Sequence, residues 1–355
     1  MTIKDFKYFP FSLQLKIPFQ SSAQTIKQRD GIIISLTDEL GNQYFGEASP
    51  LPGFSKETIN DLIQNLSDIK TKLVDLFLME DLYAINDQLS IFMLVPSLRF
   101  ALEQAILSLM INRNKNFVNQ FVGNLKSEIN VNAVLGFGET NGILSAIEEK
   151  INDGYYTVKI KIGRSDFEDD LKLISGIRQK FGDEVNLRLD VNGKWELNDA
   201  EKYLERLSTF NIQYIEEPCN NINKLITLAQ SSPIPLAVDE SVHTIEDAYE
   251  VINNSNVEFI VWKPMILGRL IALFRVIKEA EKKNKKIIIS SSFESAVGKS
   301  GLVFLTVTTN HNFAHGLDTS QFFENDICTD PFTVKAGKIN LTPGNYPPHF
   351  NLNLK

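Results

Sequence analysis

The chain has 355 residues, 43% of them hydrophobic and 23% charged, with a formal net charge of -8; its isoelectric point lies near 5.2 and its mean hydropathy is -0.10. That is ample material for a sizeable core, excludes a disordered chain, and suits a large α/β barrel with a smaller attached domain. The acidic balance leaves no electrostatic footprint for nucleic acid or an anionic membrane, the N-terminus Met1–Lys7 lacks an apolar signal core, and no apolar run approaches a membrane span. Cys219 and Cys328 follow no metal spacing and are too few for a disulfide framework, so free thiols in a reducing cytoplasm are expected.

Residues 1 to about 50 alternate apolar and polar positions at Phe11–Ile17 and Gly31–Leu36, which predicts antiparallel strands joined by a loop over 17–23. Two prolines and two glycines in Gly46–Ser55 preclude a regular element and leave Leu51 and Phe54 on a loop, either packed down or serving as a lid over an apolar ligand. From Lys56 to about Lys115 the pattern is helical, ending in an amphipathic run, Ser97–Leu109, behind Pro96. Strands followed by helices predict a small α+β domain over residues 1–115.

Beyond Lys115, short apolar strands alternate with helical stretches such as Thr140–Asp153 and Asp166–Phe181. The candidate strands are 129–136, 157–163, 186–192, 213–218, 235–241, 259–264, 286–292 and 313–319, with a further helix over 298–310. This rhythm predicts a parallel barrel over 116–325, with its site at the C-terminal strand ends. Residues 326–355 lose the repeat and are expected to return to the first domain.

The stretch Val158-Lys159-Ile160-Lys161-Ile162-Gly163 places two ammonium groups on one face of a strand. Burying them together makes sense only opposite anions or a cofactor. The following strand ends supply the anions: Asp190, Glu216 and Asp239 on three adjacent strands, then Lys263 on the far side. Three oxygen donors with room for water and substrate suit Mg²⁺. Zinc is disfavoured because no His or Cys cluster accompanies them. A divalent cation between two lysine poles fits abstraction of a proton α to a carboxylate, in which the enediolate charge must be neutralised. Lys161 is the expected base, with Lys159 beside it as a neighbouring cation and hydrogen-bond donor.

Any one Asp or Lys at a strand end is ordinarily a solvated terminus or a helix cap. Six residues of the required types at the ends of five consecutive strands are not accounted for in that way. Arg188 and Asn192 share the parity of Asp190 and are read as supports, or as core ion pairing for Arg188; Glu217 and Glu240 have the opposite parity and are read as structural. Ser290, Ser291 and Ser292 are either polar filler or donors to a substrate carboxylate. Gly298-Lys299-Ser300 lacks the glycine a phosphate loop needs five residues earlier, where Phe293 stands. No Gly-x-Ser-x-Gly elbow occurs, and the four histidines make no metal spacing.

Lys159-x-Lys161, Asp190-Val191-Asn192, Ile215-Glu216-Glu217-Pro218, Val238-Asp239-Glu240-Ser241 and Lys263-Pro264 together resemble the enolase superfamily, muconate-lactonizing subgroup. Ser49–Ser55, Ser290–Ser295 and Gly316–Thr319 are similar to stretches of its o-succinylbenzoate synthase family. The resemblance implies a modified (β/α)₇β barrel under a cap whose loops, around Phe19–Ala23 and Pro50–Ser55, close over the substrate. It implies syn dehydration of 2-succinyl-6-hydroxy-2,4-cyclohexadiene-1-carboxylate in menaquinone synthesis. Asp190, Glu216 and Asp239 would hold Mg²⁺, with Mn²⁺ as a substitute. Lys161 would remove the α-proton and return it to the departing hydroxide, and Lys263 would stabilise the enediolate. Phe54, Ser291, Ser292 and Asn192 are the candidate substrate-binding residues. A small carboxylate is the expected partner, without nucleic acid or membrane, and a homo-oligomer is left open.

Opposed lysines also suit an N-succinylamino acid racemase or a dipeptide epimerase, although the Asp318-Thr319 segment fits the synthase pattern better. A Schiff-base aldolase would leave the three carboxylates unexplained. A barrel retained only for binding would show little Mg²⁺ affinity.

Overall fold

The computed structural model describes residues 1–20, 25–114, 126–342 and 346–352. The expected loop residues Ser21, Ser22 and Ala23, the expected domain junction at 115–116 and parts of the C-terminal segment lie outside the described residues. Strands β1 (Ile3–Gln20), β2 (Thr25–Asp38) and β3 (Gln43–Ala48) form an antiparallel sheet, followed by helices α1 (Ile59–Leu73), α2 (Leu82–Ser90) and α3 (Pro96–Arg113). Helix α1 begins at a capping box in which Thr58 and Asp61 satisfy each other's backbone N–H groups.

Two expectations for this region are corrected. The chain does not leave the sheet at Ile17: β1 runs on to Gln20, its register with β2 breaking between Gln14 and Phe19. Pro18 is tolerated there because β1 is an edge strand, where a missing N–H breaks no ladder. Nor is α3 amphipathic with a wet face, since every residue from Ser97 to Ile111 is buried. Its apolar side packs on the cap sheet, where a Cβ at Gly46 would stand 2.0 Å from the carbonyl oxygen of Ala101. Its polar side faces the barrel. Glu103 accepts the Ile271 N–H (2.7 Å), and Gln104 donates to the Val297 carbonyl (2.6 Å) and accepts the Glu47 N–H (3.2 Å).

After the short strand β4 (Glu128–Asn130), the barrel begins with β5 (Ala133–Leu135), α4 (Thr140–Asn152), β6 (Thr157–Lys161), α5 (Phe167–Phe181), β7 (Asn186–Asp190), α6 (Leu197–Leu207) and β8 (Ile212–Glu216). It continues through α7 (Ile222–Leu228), β9 (Leu236–Val238), α8 (Ile245–Asn254), β10 (Phe259–Trp262), α9 (Pro264–Leu267), α10 (Leu270–Lys282), β11 (Lys286–Ile289) and α11 (Ala296–Val307), with β12 (Lys338–Asn340) following. Strands β5 to β11 pair in parallel in chain order. His315 and Gly316 close the ring, bridging Val131 on one side and Ser290 on the other. The first expected barrel strand divides: β4 pairs antiparallel with β12, and only β5 joins the barrel.

Parity explains the layering. Val158, Ile160, Leu187, Leu189, Ile215, Val238, Ile260 and Ile289 point outward into the main core beneath the helices. Tyr214, Ala237, Phe259, Val261 and Ile288 form a separate inner cluster that fills the barrel floor. One more strand step from that floor brings Glu216, Asp239 and Lys263 to the mouth. Phe350 and Leu352 pack against a third cluster that includes Leu13, Ile33, Leu51 and Phe293. Among the described residues no helix is long and apolar enough to cross a membrane.

Candidate active site

Asp190 and Glu216 are register partners on β7 and β8, Lys161 and Asp190 are partners on β6 and β7, and Asp239 directly follows β9. All three carboxylates are buried, at 3%, 0% and 7% exposure. Lys159 Nζ lies 2.5 Å from Glu216 Oε1 and 3.1 Å from Asp190 Oδ2, and Lys263 Nζ donates to Asp239. The structure therefore brings together Lys159, Asp190, Glu216, Asp239 and Lys263 as one ionic row, with an ammonium toward each end.

Burial opposes the charge on Lys159, yet Asp190 and Glu216 outweigh it and hold the pKa well above the ordinary value. Lys263 is raised in the same way by Asp239 and Glu240 against its burial. Glu216 is raised well above the carboxylate range, first by burial and then by the negative charges of Asp190 and Asp239.

Lys161 donates to Asn192 Oδ1 at 2.9 Å, and Asn192 Nδ2 donates to Glu240 Oε1 at 2.9 Å. The hydrogen bond expected from Lys159 to Lys161 is not made, because the Lys159 ammonium is taken up by the two carboxylates. Glu217 accepts the Asp239 N–H (2.8 Å) and the Ser241 hydroxyl, so it sets the backbone that carries Asp239. Burial, with the charges of Glu240 and Asp239, pushes its pKa up to about 8. Arg188 makes no ion pair among the described residues, which corrects one of its two expected roles. It lies in the barrel floor, donating to Gln213, Asn132 and the Ala314 carbonyl and standing 4.7 Å over the Tyr214 ring.

Asn192, Glu217 and Phe293 have φ of 50°, 43° and 63°, left-handed conformations unusual for residues other than glycine. All three directly follow or closely follow barrel strands, and such strain gathers at functional sites.

Of the expected substrate-binding residues, Asn192 stands beside Lys161, whereas Phe54, Ser291 and Ser292 stand on the barrel's other wall and on the cap. Phe54 lies 5.8 Å from Lys263 Nζ across its ring face, and Phe19 contacts Phe293 with ring centroids 4.8 Å apart. The Ser291 hydroxyl bonds Glu294 and Thr319, whereas Ser292 Oγ is buried without a partner among the described residues. Burial pushes the Glu294 carboxyl up to about 7.

Sequence reasoning missed Glu47 and Arg29. Glu47, on β3, accepts from Ser49 Oγ, the Ser295 hydroxyl and the backbone N–H groups of Ser295 and Gly298, so a cap carboxylate caps barrel helix α11. A Cβ at Gly298 would meet Glu47 Oε2 at 2.8 Å, which is why glycine stands there. Neither residue has a local signal, since the barrel partners of both lie more than two hundred residues away and the cap partners of Arg29 are backbone carbonyls about twenty residues on.

The donor set fits a hard divalent cation: it consists entirely of carboxylates, and Glu216 Oε2 is buried without a partner among the described residues. Among the described residues no three acidic, His or Cys side chains already converge into a ligand cage, each carboxylate being turned toward another charged group. Backbone register is thus the stronger indication of the site.

Residues 143–345 match the family model described as enolase C-terminal domain-like, and residues 3–109 match the MenC N-terminal domain. The o-succinylbenzoate synthase of Desulfotalea psychrophila is 30% identical over 253 residues, covering 70% of this chain and 68% of that protein. The hydrophobic dipeptide epimerase of Enterococcus faecalis is 24% identical over 341 residues, 95% of this chain and 96% of that one. A solved dipeptide epimerase from Enterococcus faecalis, complexed with Mg and the dipeptide L-Leu-L-Tyr, superposes with a TM-score of 0.86 at 22% identity, covering 96% of this chain and 98% of that one. This chain belongs to the enolase superfamily, as an enzyme that takes a proton from a carboxylate substrate.

Proposed function

We propose that the chain is an o-succinylbenzoate synthase that dehydrates 2-succinyl-6-hydroxy-2,4-cyclohexadiene-1-carboxylate in menaquinone synthesis, with Lys161 as the base. The observation that carries the choice within the superfamily is the MenC-type cap over residues 3–109, since the cap supplies the lid at the mouth. Asp318 supports it. An epimerase of dipeptides uses an aspartate after the last strands to hold the substrate's ammonium group. Here the Asp318 carboxylate is taken up by the Tyr155 hydroxyl and by Gln321 Nε2.

Asp190, Glu216 and Asp239 would hold Mg²⁺, whose charge would offset the negative charge developing on the substrate carboxylate. The Lys161 amine takes the α-proton and becomes an ammonium, while Asn192 holds its Nζ toward the mouth. The C–O bond to the leaving hydroxyl then breaks on the same face, and Lys161 returns its proton so that water departs and the ring becomes aromatic. Lys263 remains a cation on the opposite side of the substrate, and Phe54 and Phe293 provide an apolar wall that limits water.

The competing reading is an N-succinylamino acid racemase or dipeptide epimerase, favoured by the dipeptide epimerase relative and by the opposed lysines. Purified protein with Mg²⁺ is assayed for o-succinylbenzoate formation, alongside N-succinylamino acids and dipeptides in D₂O. Aromatisation with little α-deuterium exchange is the expected result. Rapid exchange without aromatisation overturns the synthase reading and leaves proton abstraction in place.

A further inference from the structure

We propose that Arg29 is a positioning residue that latches the two walls of the substrate mouth to each other, an inference that rests on the synthase reading. Arg29 lies on β2 and is 1% exposed. Its Nη2 donates to the Ser49 carbonyl (2.6 Å) and its Nη1 to the Pro50 carbonyl (2.8 Å), both at the root of the lid loop. Its Nε reaches the Phe293 carbonyl (3.4 Å) in the loop after β11. One planar fork thus grips a cap loop and a barrel loop at once.

The side chains those loops carry form the wall opposite the carboxylates of β7 to β9. The lid presents Leu51 and presents Phe54 to Lys263; the barrel loop presents Phe293, which packs on Phe19 and on Phe322 at 5.9 Å, together with Ser291 and Ser292. Arg29 touches none of Lys161, Asp190, Glu216, Asp239 or Lys263 among its described bonds.

A guanidinium so deeply buried is costly, and Glu47 and Glu294 offset its charge without bonding to it. Both carboxylates are committed elsewhere, Glu47 to the first turn of α11 and Glu294 to Ser291 and Ser292. All three directed bonds of Arg29 therefore go to carbonyl oxygens of the two loops. Lysine carries the same charge but lacks the rigid fork, so it cannot span both loops in the same geometry. Arg29 accordingly sets the gap between Phe54 and Phe293, which is a determinant of substrate binding rather than of proton transfer.

The test compares wild type, Arg29→Met and Arg29→Lys in the full chain with Mg²⁺. The expected result for Arg29→Met is a KM for the cyclohexadiene substrate raised about tenfold, a kcat within about threefold, and unchanged Mg²⁺ affinity by calorimetry. Chymotryptic cleavage after Phe54 should accelerate about tenfold relative to cleavage after Tyr156, which is 68% exposed and precedes β6 at the far end of the barrel. Arg29→Lys should fall between the two. An unchanged KM overturns the latch, as does cleavage rising equally at both sites, which would make Arg29 a general stability residue. If Arg29→Met does not fold, Arg29→Lys is judged by the same ratios. If wild type does not turn over the cyclohexadiene substrate, the synthase reading fails, and the cleavage ratio still decides the latch.

Discussion

Replacing Glu47 with alanine tests whether the cap and barrel are held together by a carboxylate that terminates a helix in the other domain. The substitution strands two buried backbone N–H groups, those of Ser295 and Gly298, which lie 3.1 and 2.9 Å from Glu47 oxygens. The two serine hydroxyls can rotate to other acceptors, so only the amides are counted. A buried N–H that loses a charged acceptor costs about 1.5 kcal/mol, giving about 3 kcal/mol for the pair. In a chain of this size that lowers the melting temperature by about 4 °C. Glu47→Gln keeps one acceptor oxygen and should lose about half as much. Calorimetry gives the stability, and hydrogen exchange at the Ser295 and Gly298 amides locates the loss. A melting temperature within about 1 °C of wild type, with protection at both amides intact, refutes the capping role.

Lys161→Ala should lower turnover about a thousandfold with the fold and Mg²⁺ binding intact, and retained turnover in the steady-state assay rules out Lys161 as the base. Asp239→Asn should weaken Mg²⁺ binding about a hundredfold by calorimetry, whereas equal affinity removes Asp239 from the ligand set. Acid should destabilise the protein through two histidines in the barrel. Burial pushes His311 down to about 4 and His315 well below its ordinary value, with Lys126 and Arg188 adding to both. The unfolded chain therefore binds protons that the folded chain refuses. Their stabilisation is complete above about pH 6.5 and declines as the pH falls toward 4, by up to about 3 kcal/mol for His311. Glu217 and Glu294, raised to about 8 and 7, act in the opposite sense, so the effect is read as the difference between wild type and His311→Gln in urea unfolding at pH 7 and 5. No change in that difference with pH contradicts the assignment.

The parallel barrel was legible because its signal is local. Five or six residues of strand fix which side chains point inward, so Lys159, Asp190, Glu216, Asp239 and Lys263 could be placed on one side of their strands from parity alone. The cap was harder to read, because its polar residues answer to partners elsewhere in the chain. Helix α3 has polar positions at Arg99, Glu103, Gln104 and Ser108, the pattern of a wet face, yet all are buried, Glu103 and Gln104 against the barrel and Arg99 against Asn86 of α2. Pro18 reads as a loop signal until β1 is known to be an edge strand. The cationic neighbour expected to serve Lys161 proved to belong to the carboxylates, since two buried anions attract Lys159 more strongly than an amine can. Arg29 and Glu47 carried no pattern at all, being single charges in a β-sheet whose partners are set by tertiary contact.

The buried polar face of α3 also bears on the order in which the chain can mature during synthesis. Glu103 waits for the amide of a residue 168 positions later, and Gln104 for a carbonyl 193 positions later. At ribosomal speeds of about 5–20 residues per second that is an interval on the order of 10–40 s. Throughout it the nascent cap must keep those groups in water or leave α3 unfinished. The first domain to emerge is therefore among the last to be completed, and fragments that stop short of α11 should be the ones that proteases remove.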